Sequence, residues 1–154
     1  MQKPVFYQAK LCDLETVSSI SLRAYEPAYL DLLGELPRPA VEDYSPWIGN
    51  NSVWLCKMCG EDAGALVIEQ HTEFWMVWSV AVDPRFQGYG LGTYLLEKAS
   101  HLASAAGVSS LRLHTNAKMV RNLAIYRKAG FYEIAIKPHP IRIGHELVYM
   151  QLDL

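Results

Sequence analysis

The sequence predicts one α/β domain around a mixed, mostly antiparallel central sheet of six to seven strands, flanked by about four helices. Three observations favour this class. The chain has 154 residues, 51% of them hydrophobic, which is enough for one buried core and short for two. Strand-like and helix-like apolar periods alternate along it. Closely spaced strands near its middle indicate antiparallel pairing. We therefore expect a single domain over residues 1–154.

The first half is predicted as strand, helix, irregular segment and strands. Residues 5–9 favour a short strand, and Asp13 is placed to cap the helix that follows. Pro27 permits at most a short second helix. Residues 25–51 hold four prolines among aromatic and acidic residues, which predicts broken helix and loop over the surface. Strands are then expected at residues 53–58, 65–69 and 74–82, with turns at 60–62 and 70–72.

The second half begins with a glycine-rich segment that leads into a helix. Its apolar residues recur on one face, and Gly107 is expected to end it. A strand at residues 111–114 and a helix at 121–129, closed by Gly130, follow. Residues 132–136 and 145–153 are predicted to pair across a proline-rich loop.

Charge is divided unevenly along the chain. The formal net charge is -2, which argues against an indiscriminate nucleic-acid binder. Residues 1–77 carry five Lys/Arg against eleven Asp/Glu, whereas residues 78–154 carry nine against five. The first half is thus expected to favour a cationic partner, and the second half an anionic one.

Cysteine usage and hydropathy indicate a cytoplasmic protein. Three cysteines are an odd number, and the chain opens without a signal-peptide pattern. No apolar run approaches the ~20 residues of a membrane span, so no membrane partner is expected. Cys56 and Cys59 lack the second ligand pair that zinc needs; we expect no metal and place both thiols on a strand.

The segment from Gln87 to Gly92 carries the strongest chemical signal. Alternating glycines let the backbone approach a ligand, and the helix that follows adds a positive dipole end, so the loop suits a phosphate or pyrophosphate. The spacing G-x-G-x-G differs from the dinucleotide fingerprint, and the Gly-Lys-Ser/Thr of a P-loop is absent. The alternative is that the glycines only turn a strand into a helix.

Two motifs flank a predicted strand. Gln87, Gly90 and Gly92 follow a Val-Ala-Val-Asp-Pro strand end at residues 80–84. Farther on, a helix with Asn122 ends in Tyr126 shortly before Gly-Phe. In this order they resemble the GNAT-type N-acetyltransferases. The resemblance covers essentially the whole chain and implies the GNAT acyl-CoA N-acyltransferase fold, with a strand splay at the cofactor site.

The resemblance also implies acetyl-CoA as cosubstrate and assigns residues to it. The splayed strand end would pair with the pantetheine arm, and the loop amides would take the pyrophosphate. Basic candidates for the remaining phosphates are Arg85, Lys98, Arg121, Arg127 and Lys128, with solvated surface charge as the alternative. The cofactor residues implied are Val80, Ala81, Val82, Gln87, Gly88, Tyr89, Gly90, Leu91, Gly92, Thr93 and Asn122, the last with a simple helix cap as its alternative.

Tyr126 is the residue expected to act in the chemistry. A phenol stays neutral at pH 7 and can protonate a leaving thiolate, the role that the family's matching Tyr is assigned; a packing role is the alternative. Candidate bases are Glu69 and Glu73, with His71 and His114 beside the same strands. Proton removal through water stays open.

The resulting hypothesis is an enzyme that moves acetyl from acetyl-CoA to a primary amine by direct attack in a ternary complex. One rival is a non-catalytic acyl-CoA-binding sensor or scaffold of the same fold. A second is a phosphate-binding module for another nucleotide. The sequence contains no motif that identifies the acceptor. A homodimer is expected by family analogy only.

Overall fold

Seven strands and five α-helices make up the part of the chain that the computed structural model describes, residues 3–154. The strands are β1 (Val5–Gln8), β2 (Val53–Met58), β3 (Glu61–Gln70), β4 (Phe74–Val82), β5 (Ser110–Asn116), β6 (Tyr132–Pro138) and β7 (Glu146–Asp153). The helices are α1 (Leu14–Leu33), α2 (Arg38–Val41), α3 (Ser45–Gly49), α4 (Leu91–Ala105) and α5 (Val120–Lys128), and single 3-10 turns cover Leu11–Asp13 and Pro84–Phe86.

The strands form one sheet in the order β1-β2-β3-β4-β5-β7-β6. Strand β4 pairs with β5 in parallel, whereas β1–β2, β2–β3, β5–β7 and β6–β7 are antiparallel. This confirms the predicted mixed and mostly antiparallel α/β architecture. The chain divides into two compact units. The first holds the residues up to Ile68 together with Ser79–Leu95, and the second holds Glu69–Trp78 and Leu96–Leu154.

In the first unit, β2 and β3 form a hairpin that is buried on both faces, with Val53 and Leu55 on one face and Leu66, opposite Trp54, on the other. Val53, Leu55 and Leu66 are almost fully excluded from solvent, which is the main stabilising term for such a strand pair. The turn consists of Cys59 and Gly60, both with positive φ (52° and 79°), as a two-residue hairpin requires. The turn therefore lies at residues 59–60 instead of the expected 60–62, because β3 already begins at Glu61, and Cys59 lies in the turn rather than on a strand.

Helix α1 corrects two expectations. It continues through Pro27 to Leu33, although proline removes one helical N–H bond and usually costs about 3 kcal/mol. Tyr25 and Tyr29, four residues apart, make an edge-to-face contact across it, with ring centroids 5.6 Å apart. Asp13 occupies the N-cap position without capping; its carboxylate instead accepts from the backbone N–H of Lys10 at 2.8 Å.

The segment expected to lie over the surface is partly core. Helices α2 and α3 are short, and each buries one apolar residue, Ala40 and Ile48. Tyr44 between them is only 1% exposed, and its hydroxyl donates to the carbonyl of Pro39. A buried tyrosine is stabilised in this way because its polar end keeps a partner. Because the segment is rich in proline, its sequence predicted surface loop and not this packing.

The second unit contains the antiparallel ladder of β5, β7 and β6. Leu111, Leu113, Val148 and Met150 are buried in it. Strand β5 is longer than the expected residues 111–114, and α5 begins at Val120, one residue early. Within residues 3–154, no helix is both long and apolar enough to cross a bilayer.

Candidate functional site

The glycine-rich loop of the first unit presents an open backbone surface ahead of α4. Gly88 and Gly90 have φ of 88° and 81°, a region that other residues rarely adopt. A methyl group added at either glycine meets nothing within 4 Å. Among the described residues, the N–H groups from Gly88 to Thr93 have no hydrogen-bond partner, and the first bond of the turn runs from Tyr94 N–H to Gly90 O at 3.0 Å. Such a row of free amides at a helix start fits an anionic group.

A buried carboxylate anchors the start of this loop. Asp83 is 1% exposed. It accepts from the Arg85 backbone N–H at 3.0 Å and from the Arg23 guanidinium at 2.7 and 3.0 Å. Burial alone would raise the pKa of Asp83, but the hydrogen bonds from Arg85 and Arg23 outweigh it and hold the pKa below its usual value. The loop is thus tied to α1 by a permanent charge pair.

The end of β4 carries a contact that the sequence did not reveal. The Tyr25 hydroxyl donates to the carbonyl of Val80 at 3.1 Å and lies 2.7 Å from the hydroxyl of Ser79. The carbonyl of Val82 accepts from the Gln87 side chain at 3.2 Å. Each carbonyl keeps a second lone pair for a further donor. No sequence signal pointed to Tyr25, since its partners lie more than fifty residues away.

Asn122 and Tyr126 lie on α5 in the second unit. Because α5 begins at Val120 with Met119 at its N-cap, the alternative of Asn122 as a simple helix cap is wrong. Both residues are half-buried. The ring of Tyr126 lies 6.3 Å from that of buried Phe131, which fixes it at the end of the helix.

Acidic and imidazole groups collect around β3, β4 and β5 in the second unit. The His71 ring contacts the Glu69 carboxylate and stacks on Phe74 with centroids 4.6 Å apart. Glu73 is exposed, and its backbone carbonyl accepts from Ser109. Partial desolvation lowers the pKa of His114, and the neighbouring imidazole of His139 lowers it further.

Two of the basic phosphate candidates are already paired. The Arg85 guanidinium interacts with Asp83 and Glu61, and the Arg127 guanidinium with Glu133. Among the described residues, no group of three or more His, Cys, Asp or Glu side chains lies where it would hold a metal ion.

The predicted cofactor residues from Val80 to Thr93 all lie in the first unit, and Asn122 lies in the second with Tyr126, Glu69 and Glu73. The strand order defines a mixed α/β protein, and the open loop before α4 has the backbone geometry that suits an anion. The chain matches the model of the acetyltransferase (GNAT) family over residues 15–131. It therefore belongs to the GNAT acetyltransferase family.

Relatives and solved structures agree with this membership. The chain is 36% identical over 83 residues to the ribosomal protein bS18-alanine N-acetyltransferase of Salmonella typhimurium, covering 53% of each chain. It is 37% identical over 68 residues to an IAA acetyltransferase of Azospirillum brasilense, covering 44% of each. A mycothiol acetyltransferase of Beutenbergia cavernae is 28% identical over 105 residues, which is 62% of this chain and 33% of that one. The chain spans about half the length of the curated relatives it matches.

Two crystal structures show the same fold over the whole chain. The ribosomal-protein-S18-alanine N-acetyltransferase of Escherichia coli aligns with a TM-score of 0.75 at 20% identity, covering 98% of this chain and 94% of that one. An acetyltransferase of Desulfovibrio desulfuricans described as a putative GNAT member aligns with a TM-score of 0.79 at 19% identity, covering 98% and 99%. The similarity covers 98% of this chain in both cases and confirms the expected fold class.

Proposed function

We propose that this protein is an N-acetyltransferase that moves the acetyl group of acetyl-CoA to a primary amine by direct attack in a ternary complex. The observation that carries the proposal is the row of free backbone amides between Gly88 and Thr93, in a chain that belongs to the GNAT family. An open loop of this kind suits a pyrophosphate. Free N–H groups at Leu91, Gly92 and Thr93 are expected at the start of any helix, and the loop residues before them, Gly88 to Gly90, extend this row of donors.

The chain's own groups would hold the cosubstrate in three places. The amides of Gly88, Tyr89, Gly90, Leu91, Gly92 and Thr93 would bind the pyrophosphate, with Gln87 fixing the start of the loop. The backbone of Val80, Ala81 and Val82 would pair with the pantetheine amides, and Asn122 of the second unit is proposed as a further cofactor-binding residue. When bound, acetyl-CoA supplies the acetyl group as an activated thioester.

Tyr126 is proposed as the general acid. Its phenol would give a proton to the leaving thiolate while remaining neutral at pH 7. Glu69 and Glu73 stay candidates for removing the proton of the acceptor, as does a water route. The contact with His71 orients the Glu69 carboxylate, whereas Glu73 lies in the turn before β4.

The proposed acceptor is a cationic primary amine. Its support is the excess of acidic residues in the first 77 positions and the aromatic and acidic segment that follows Tyr25. The relatives' names point to two acceptor types, an alanine of ribosomal protein bS18 and a small molecule. Both peptides with free N-termini and small amines therefore belong in the screen.

A CoA-release assay across amine and peptide panels tests the proposal. Turnover with at least one amine is expected, and the Tyr126→Phe variant should lower kcat by about 100-fold, the usual contribution of an acid catalyst, with little change in the affinity for acetyl-CoA. Tyr132→Phe is the matched control, because that exposed tyrosine bonds Asp153 and Gln151 on β7.

Two results would contradict the proposal. Acetyl-CoA binding without turnover on any amine would identify the non-catalytic sensor or scaffold instead. Tighter binding of ATP or NAD than of CoA in competition would identify a module for another nucleotide. A cytoplasmic location, a single domain and a homodimer stay predictions.

A further inference from the structure

Side chains hold the end of β4 beyond the point where its pairing with β5 stops. The parallel ladder between these strands covers three residue pairs and ends on β4 at Met76. Farther along β4, in the first unit, the carbonyl of Val80 accepts from the Tyr25 hydroxyl at 3.1 Å. The carbonyl of Val82 accepts from the Gln87 side chain at 3.2 Å. Two side chains thus supply donors of the kind that a neighbouring strand supplies within a sheet.

The direction of these two carbonyls follows from the strand on the other side of β4. The N–H of Asp83 donates to the carbonyl of Ala63 on β3 at 2.8 Å, so the Asp83 backbone faces β3. Along a strand, the backbone groups of successive residues point to alternate sides, which turns those of Val80 and Val82 away from β3. The N–H groups of both valines therefore point to the same side as their carbonyls, and this edge has a fixed pattern of donors and acceptors.

The Tyr25 hydroxyl is the middle of a directed chain of hydrogen bonds. A phenol has one proton to donate, and Tyr25 gives it to the Val80 carbonyl. The Ser79 hydroxyl lies 2.7 Å from the Tyr25 oxygen and is 3% exposed, so Ser79 is the donor in that contact. Hydrogen bonds in such a chain polarise and strengthen one another, which makes Tyr25 a better donor to Val80.

Helix α1 fixes the position of Tyr25. The Tyr25 ring makes its edge-to-face contact with Tyr29. Arg23, two positions before Tyr25 on the same helix, binds the Asp83 carboxylate. One stretch of α1 therefore holds the end of β4 at Val80 and the start of the glycine-rich loop at Asp83. The backbone between these two points is fixed at both ends.

We propose that Tyr25 is a positioning residue that holds the Val80 peptide group in the orientation in which β4 binds the pantetheine arm of acetyl-CoA. This inference rests on the proposed cosubstrate site and adds to it a side chain of α1 that acts through the backbone of Val80. Without the hydroxyl, the Val80 carbonyl loses its donor and the peptide group can rotate. The arm must then order the strand end on binding, which lowers its affinity.

Calorimetric titration of Tyr25→Phe with two probes tests the proposal. One probe is acetyl-CoA, and the other is phosphoadenosine diphosphate, the nucleotide half of CoA without the pantetheine arm. The loss of one neutral hydrogen bond predicts about three- to tenfold weaker binding of acetyl-CoA, with unchanged affinity for phosphoadenosine diphosphate. Gly90→Ala should instead weaken the binding of both probes, because it alters the loop that would take the pyrophosphate.

Two further variants separate positioning from folding. Tyr7→Phe removes a hydroxyl that donates to Asp62 at 2.8 Å in the same unit, and it should leave both affinities unchanged. Ser79→Ala should weaken acetyl-CoA binding by a smaller factor than Tyr25→Phe. In the Tyr25→Phe background the Ser79→Ala effect should disappear, because the Ser79 hydroxyl acts through Tyr25.

Two results would overturn the role of Tyr25. One is unchanged binding of acetyl-CoA in Tyr25→Phe, and the other is an equal loss of affinity for both probes, which a general structural defect would produce. Binding of acetyl-CoA by wild type without turnover would overturn the proposed acetyl transfer alone, because both probes are measured by binding. Absence of acetyl-CoA binding in wild type would overturn the proposed function and this inference together.

Discussion

Replacing Asp83 by asparagine tests whether the anchor of the glycine-rich loop works through its charge. Asparagine keeps one oxygen that can accept the Arg85 backbone N–H, but its NH2 group takes the place of the oxygen that faces Arg23. The two bonds from Arg23, at 2.7 and 3.0 Å, are then lost, and a donor faces a cation.

The expected cost follows from this geometry. A hydrogen bond to a charged group contributes about 1.5–3 kcal/mol. The Arg23 side chain is 49% exposed, so water replaces part of what it loses and screens the pair. We therefore expect Asp83→Asn to lower the free energy of unfolding by about 2 kcal/mol. For a chain of this size that corresponds to a fall in Tm of about 4–8 °C.

Urea denaturation between pH 7 and pH 3 measures the effect and its origin. Because the pKa of Asp83 is lowered in the folded state, its stabilising contribution is complete above its ordinary value of about 3.9 and disappears as pH falls through the lowered folded value. The difference between wild type and Asp83→Asn should thus be constant from pH 7 to pH 5 and shrink below about pH 4. Asp31→Asn, at an exposed carboxylate on α1, is the control and should change stability by less than about 0.5 kcal/mol.

Either of two results would refute this reasoning. One is equal destabilisation by the Asp83 and Asp31 variants. The other is a difference that stays unchanged down to pH 3, since a carboxylate whose charge matters must lose its effect on protonation.

Three further predictions concern packing, the loop and a thiol. Gly64→Ala should destabilise by about 1–3 kcal/mol in urea denaturation, because the new methyl would lie 2.9 Å from the Cys56 sulfur and 3.2 Å from a backbone oxygen. Gly90→Ala should raise the KM for acetyl-CoA about tenfold, since a φ of 81° strains any other residue by about 1–3 kcal/mol and rotates the amides. In alkylation at pH 8, Cys56 should stay unmodified while the two exposed thiols react, because burial raises the pKa of Cys56 to about 12.

Each of these three predictions can be contradicted by a specific result. Gly49→Ala, where the added methyl meets nothing within 4 Å, is the packing control, and equal stability of the two alanine variants would refute the clash. An unchanged KM in Gly90→Ala would show that the loop conformation does not matter for the cosubstrate. Labelling of Cys56 in the native protein at the rate of the exposed thiols would show that Cys56 is not buried.

Strands with a strong apolar pattern were predictable from local sequence. Strands β2 and β4 have the expected bounds, because runs of β-branched and aromatic residues between turn formers leave little choice. The continuity of α1 was not predictable, because Pro27 disfavours a helix at that point of the sequence. Side-chain contacts in the folded structure, such as Tyr25–Tyr29, are not visible in the sequence pattern. Tyr44 was misjudged for the same reason, since its burial depends on residues distant in the chain.

The sequence by itself determined the fold class and family, along with the position of the glycine-rich loop, because these follow from short-range patterns of residue type and spacing. The tertiary structure decided which side chains hold that loop. Asp83 reaches Arg23 and Tyr25 reaches Val80 across more than fifty residues. Such contacts depend on how the chain folds back on itself, so a pattern of neighbouring residues does not predict them.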